Sequence, residues 1–178
     1  MNEMENEQYE EAAKHFDMVV IENGNDDDAF FFRAYCKCHV GKLGDIPNQT
    51  VQFTNAFCKY VDSLNNIFDE EEKKTKLKVA VEKYSELTSY YSANAKRTMF
   101  SAPSVGYSIN SATKTMTDAC NNKIRSCGIN ISNDVLEKVN TTTKENNNSK
   151  RALFILIGIG VAIFVIYEII TWIQISSI

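Results

Sequence analysis

Proline and glycine are scarce, two and seven among 178 residues, and alternation of polar with apolar residues is weak, so helix dominates the reading and the expected fold class is all-α. Histidine is scarcer still: His15 and His39 are the only two. Neither sits in a nucleophile motif, and there is no glycine-rich phosphate loop, so the expectation is a protein that is not an enzyme and has no cofactor. Five cysteines, an odd number without ribbon spacing, argue against a disulfide framework and fit a reducing compartment. Cys36, Cys38 and His39, with Cys58 further on, suggest zinc at first sight. On a helix Cys36 and Cys38 point about 200° apart, so both cannot grip one ion, and buried thiols are the better reading. The first ten residues lack both a basic start and an apolar run, which excludes a signal peptide. Basic and aromatic residues do not interleave, so nucleic acid is not an expected partner.

What the chain does have is one long apolar run. From Leu153 to Ile175 a helix would extend about 34 Å, enough to cross a hydrocarbon core of about 30 Å. Fifteen Ile, Leu, Val and Phe residues fall in that run, among them Leu153, Phe154 and Ile155. At roughly 0.3–0.6 kcal/mol each, they outweigh the roughly 2.5–3.5 kcal/mol that Glu168 would cost at mid-bilayer. The segment 152–175 is therefore predicted to be a transmembrane anchor with the lipid bilayer as a partner. Trp172 lies toward its far end as an interfacial aromatic, while Lys144, Lys150 and Arg151 crowd its near side and no Lys or Arg follows. That asymmetry predicts a single-pass, tail-anchored topology with residues 1–151 in the cytoplasm. Gly158 and Ala162 form a small-xxx-small face, with Gly160 between them. That face permits close helix contact and hence homo-oligomerisation through the membrane helix. The sequons at Asn48, Asn130, Asn140 and Asn147 are then accidents of an Asn-, Ser- and Thr-rich chain.

Residues 140–151 read as a polar linker, leaving 1–139 as one helical domain. A first helix over 6–22 presents Tyr9, Ala12, Ala13, Phe16, Val19 and Val20 on one face and is stopped by Asn23-Gly24-Asn25. Asp26, Asp27 and Asp28 cap a second helix, Ala29 to His39, that ends near Gly41 or Gly44. After Pro47 a third helix, Thr50 to Phe68, carries Phe53, Phe57, Tyr60, Val61, Leu64 and Phe68. Asp69 opens a fourth, about 69–95, with Leu77, Ala80, Val81, Tyr84, Leu87 and Tyr91 as its stripe and Glu70–Lys74 and Glu72–Lys76 as supporting pairs. Residues 101–106 read as a loop. Ala112, Met116, Ala119, Cys120 and Ile124 mark a fifth helix over 111–126, and a short helix is expected over 133–139. Charge is uneven: residues 1–28 hold ten acids and one base, residues 29–151 eighteen bases and twelve acids. The acidic start points away from anionic lipid, and the nine bases from Lys96 to Arg151 can approach it.

The segment Tyr9-Glu-Glu-Ala12 through Phe16 and Val19 to Asn25 resembles the second helix of a tetratricopeptide repeat, and Ala29-Phe30 through Ala34 to Gly41 resembles the first helix of the next repeat. Taking Ala12 as the small second-helix residue puts Ala29, Phe30, Ala34 and Gly41 in phase with that pattern. Gly24 stands where the pattern has proline, Val19 where it has alanine, and no complete 34-residue unit occurs. The resemblance covers residues 6–44 and implies a helical hairpin of the kind used to bind partner proteins, with no catalytic residues. In the related fold a groove lined by first-helix residues binds ligands, which points to Arg33 and Lys37 as partner contacts. The plainer reading is that they solvate the helix. The expected function is thus a tail-anchored scaffold that presents a helical protein-binding domain to the cytosol. Two rivals have partial support. A Bcl-type apoptosis regulator fits the spacing of Cys36, Val40, Leu43, Gly44 and Asp45, although Pro47 falls where an apolar anchor should sit. A SNARE-like fusion protein would share the tail anchor, but the polar linker interrupts the heptad helix it needs.

Overall fold

The computed structural model describes residues 8–129, all of whose regular structure is helical. The linker, the expected helix over 133–139 and the anchor, including Lys150, Arg151, Gly158, Gly160, Ala162, Glu168 and Trp172, lie outside the described residues. Among the described residues no helix is long and apolar enough to cross a membrane.

Helix α1 spans Tyr9–Glu22 and α2 spans Asp27–Lys37. The carboxylate of Asp26 accepts from the Ala29 amide at 2.8 Å, so the first of the three aspartates is the cap and the next two lie in the first turn, where they complement the helix dipole. The two helices run antiparallel: Tyr9 meets His39 at one end and Phe16 stacks on Phe32 further along. Ala12 and Ala29 are buried and allow the close approach. Val19, expected in the core, is 37% exposed. At Gly41 the chain turns with φ of 121°, and a Cβ there would come within 3.1 Å of Gln49 Nε2, so a residue without a side chain is required.

A short 3-10 turn, Leu43–Asp45, leads into α3, Ile46–Ser63. Helix α3 starts four residues before the expected Thr50, since Pro47 occupies its first turn, where the missing N–H costs nothing. A second 3-10 turn, Leu64–Asn66, ends the segment. Phe53, Phe57, Tyr60, Val61 and Leu64 are buried as their spacing predicts, but Phe68 is fully exposed. The helical period that placed Phe68 on the stripe stops before it. Helix α4, Glu70–Ser101, runs 32 residues, with Asp69 accepting from the amides of Glu71 and Glu72. Of the two expected ion pairs, Glu72–Lys76 forms at 4.0 Å, whereas Glu70 pairs with Lys73 and Lys74 with Glu71, both at i,i+3.

Helix α5 spans Pro103–Ser126, so the expected loop over 101–106 is reduced to a single non-helical residue, Ala102. Pro103 begins the helix rather than breaking it. α5 packs against both α4 and α3. Its contact with α4 is built from small and hydroxylated residues: Thr88, Ser92, Ala95 and Thr98 on α4 and Gly106, Thr113 and Thr117 on α5 are all buried. Thr88, Thr113 and Thr117 donate their hydroxyls to the carbonyls of Tyr84, Ile109 and Thr113 on their own helices, at 2.8–3.0 Å, which leaves methyl groups to pack. Gly106 sets the approach, since a Cβ there would stand 2.9 Å from the Met99 backbone. Replacement Gly106→Ala must push α4 and α5 apart and is expected to cost about 1–3 kcal/mol. Denaturant unfolding followed by circular dichroism checks this, with Gly44→Ala, where no atom lies within 4 Å of the added Cβ, as the near-neutral control.

Candidate functional site

Where α3 and α5 diverge, they leave a groove of 310 Å³ lined by Pro47, Thr50, Val51 and Thr54 on one wall and Ala112, Thr115 and Met116 on the other, with Asn55 at its edge. None of these residues is charged. Thr50, Thr54 and Thr115 donate their hydroxyls to the carbonyls of Pro47, Thr50 and Ser111. The hydroxyls are therefore satisfied within their own helices, and the walls present mostly methyl and methylene groups. Pro47 also borders a second cleft of 200 Å³, with Leu43, Gly44, Ser104, Val105, Ser108 and Ile109. Val51 and Leu43, 59% and 40% exposed, are the large apolar side chains at the two openings. The two clefts meet at Pro47; the first is suited to apolar side chains, and the second adds the hydroxyls of Ser104 and Ser108.

Arg33 and Lys37 lie elsewhere, on the α1–α2 hairpin. The same Asp17 carboxylate oxygen takes Arg33 Nε at 2.6 Å and Lys37 Nζ at 2.9 Å. Arg33 also lies 6.0 Å from the Phe30 ring. Both cations are thus engaged across the hairpin, one turn apart, as bracing between α1 and α2. Cys36, Val40, Leu43, Gly44 and Asp45 are divided between the end of α2, the Gly41 bend and the 3-10 turn. Cys36 and Cys38 are buried thiols, and burial pushes them up to about 11 and about 12, out of the reactive range. Among the described residues no group of three or more His, Cys, Asp or Glu is placed to hold a metal ion.

His39 occupies an aromatic box. Its ring stacks on Tyr9 at 4.1 Å and contacts Tyr35 and Tyr90, both at 4.9 Å, while its Nε2 is buried without a hydrogen-bond partner. Burial lowers its pKa from 6.5 to about 4, with Glu86 opposing and Lys83 reinforcing the shift. The spacing of apolar residues did not mark the α3–α5 groove as a site. The one available signal was Val51, an apolar residue on the face of α3 opposite the Phe53–Phe57 stripe.

No protein family model, no curated protein and no solved structure matches this chain.

Because His39 binds its proton less tightly when folded, the unfolded state is the better proton acceptor between pH 6.5 and 4. Its contribution to stability is full above pH 6.5 and is lost as pH falls toward 4, by up to about 3 kcal/mol. Chemical denaturation at stepped pH should show this loss in the natural protein, and His39→Phe should remove that component of the slope.

Proposed function

We propose that this protein is a non-catalytic scaffold, anchored in a membrane by its C-terminal apolar run, that receives an apolar helical segment of a partner protein in the groove between α3 and α5. The observation that carries the proposal is the uncharged, internally satisfied wall of that groove beside an exposed Val51. An amphipathic helix offers apolar side chains at i, i+3, i+4 and i+7, which suit an apolar cleft between two helices. Partner recognition then lies on the α3–α5 seam, while the tetratricopeptide-like hairpin α1–α2 acts as a brace, its Arg33 and Lys37 committed to Asp17. Ala12, Ala29 and the Gly41 turn support the likeness of that hairpin to a repeat unit. Membrane attachment is supported by the run Leu153–Ile175 and the basic residues before it, with the helical domain on the cytoplasmic side.

Two measurements test the proposal. A photo-crosslinking side chain at position 51 of the full-length membrane protein should join a single apolar helical segment. Ala112→Lys, which puts a charge into the groove, should reduce that adduct about tenfold or more without changing helicity. Crosslinks to lipid alone, or an adduct indifferent to Ala112→Lys, would overturn the groove as the site. Extraction of the protein by alkaline carbonate would overturn the anchor.

A further inference from the structure

The corner where α4 meets α5 lies in the longest stretch of the chain without an acid. From Leu87 to Thr117 there is not one acid, while the stretch carries Lys96, Arg97 and Lys114. On α4, Lys96 and Arg97 precede Phe100 by four and three residues and so share its face of the helix. All three are exposed, Phe100 at 84%. Across the Ala102 bend Tyr107 is 42% exposed, and Gly106 holds this part of α5 against Met99 and Ala95 of α4, so the two aromatics belong to one tip. Lys114 is 3.5 Å from Asp118, but Lys96 and Arg97 have no ion-pair partner among the described residues. Asp45, on the 3-10 turn that borders α5, accepts from the Lys42 amide at 3.0 Å.

The opposite end of the bundle has the reverse character. Asp26, Asp27 and Asp28 at the start of α2 join Asp69, Glu70, Glu71 and Glu72 at the start of α4, linked by the Lys76–Asp28 pair. A surface of negative potential would therefore attract the α4–α5 corner and repel the other end. Exposed aromatic rings beside unpaired cations are the combination that settles at a headgroup boundary, the rings entering among the acyl ends and the cations meeting phosphate and carboxylate.

We propose that the α4–α5 corner is a lipid-docking surface that lays Phe100 and Tyr107 into the headgroup region of an anionic bilayer, with Lys96 and Arg97 against its acidic headgroups. The proposal rests on the membrane-anchored reading above and adds a second contact with the same bilayer. The 23 residues between Ile129 and Leu153, counted with 133–139 helical as expected, have a contour length of about 60 Å, more than the roughly 36 Å length of α5, so chain length does not keep this corner from the surface. Each of the two cations should improve partitioning onto an anionic surface roughly fivefold.

Trp172 is the one tryptophan of the chain, which allows anchor and corner to be read separately in the full-length protein reconstituted in vesicles. In the natural protein, lipids brominated high in the acyl chain, close to the headgroup, report the anchor through Trp172 at its interfacial end. In the double variant Trp172→Phe, Phe100→Trp, lipids brominated near the headgroup report the corner. The indole at position 100 should lose about half of its emission in vesicles containing phosphatidylserine and little in phosphatidylcholine alone, and adding Lys96→Glu with Arg97→Glu should abolish the loss. Tyr107→Trp in the same background gives an independent reading should position 100 disturb packing. Quenching at 172 without quenching at 100 or 107 overturns the docking surface and leaves the anchor standing, as a protein-binding role for this corner would also predict. Quenching at 100 that is equal in both vesicle types overturns recognition of anionic headgroups. Quenching at neither 172 nor 100 overturns both readings.

Discussion

The arrangement of these helices depends on where the hydroxyls of four buried tyrosines find their partners. Tyr35, Tyr60, Tyr84 and Tyr91 bring large rings into the core, and each burial is worth about 1.5–3 kcal/mol only if the phenol is not left unsatisfied. Tyr35 donates to Glu86 at 2.7 Å, Tyr60 to Asp28 at 2.7 Å and Tyr84 to Asn121 at 2.9 Å, while Tyr91 meets the Cys38 carbonyl and Gln49 Oε1, both at 3.2 Å. Every one of these contacts joins different helices. Hydrophobic packing alone tolerates a sliding of one helix along another, but a phenol that must reach one particular acceptor does not. The same burial raises the pKa of all four, so they remain neutral donors at any ordinary pH.

Two of these contacts also organise their surroundings. Asp28 takes Tyr60 of α3 on one carboxylate oxygen and Lys76 of α4 on the other, so a single residue in the first turn of α2 ties three helices together. Gln49 does the same at the other end of α2. Its amide donates to the carbonyls of Lys37 and Val40 at and just beyond the end of the helix, while its oxygen faces Tyr91. With the bundle pinned at both ends, α5 can serve as the wall of a groove on its α3 side and as a close-packed partner of α4 on the other. Thr50, Thr54 and Thr115 line the groove, and Thr88, Thr113 and Thr117 line the packed interface. The chemistry of the two threonine sets is the same, and the spacing between helices decides which becomes a surface for another molecule.

Much of the fold was legible because its signals are local. The Asn23–Asn25 stop, the caps at Asp26 and Asp69, and the stripes Phe53–Leu64 and Leu77–Tyr91 each follow from residues within a few turns of one another. The misreadings share a different cause. Ser101–Gly106 looked like a loop because proline, glycine and serine are scored as breakers, yet Pro103 opens a helix and Gly106 is required by a neighbouring backbone. The expected fifth helix began at 111 rather than at Pro103, and its buried threonines were not counted among its apolar positions, because threonine counts as polar until its hydroxyl is seen bonded to the preceding turn. Arg33 and Lys37 looked available because nothing in their own helix opposes them, whereas Asp17 does so from α1. The groove was illegible for the same reason, since its walls come from helices about sixty residues apart.

The sequence by itself therefore determined the helical class, the caps at Asp26 and Asp69, the aromatic stripes and the apolar run from Leu153, because capping, periodicity and hydropathy act over a few residues or sum along a segment. Only the tertiary structure decided which polar residues are interior, how closely α4 and α5 approach, and where an apolar cleft opens between α3 and α5. Those outcomes are set by the distance between helices, and that distance depends on side chains that meet across the fold rather than along the chain.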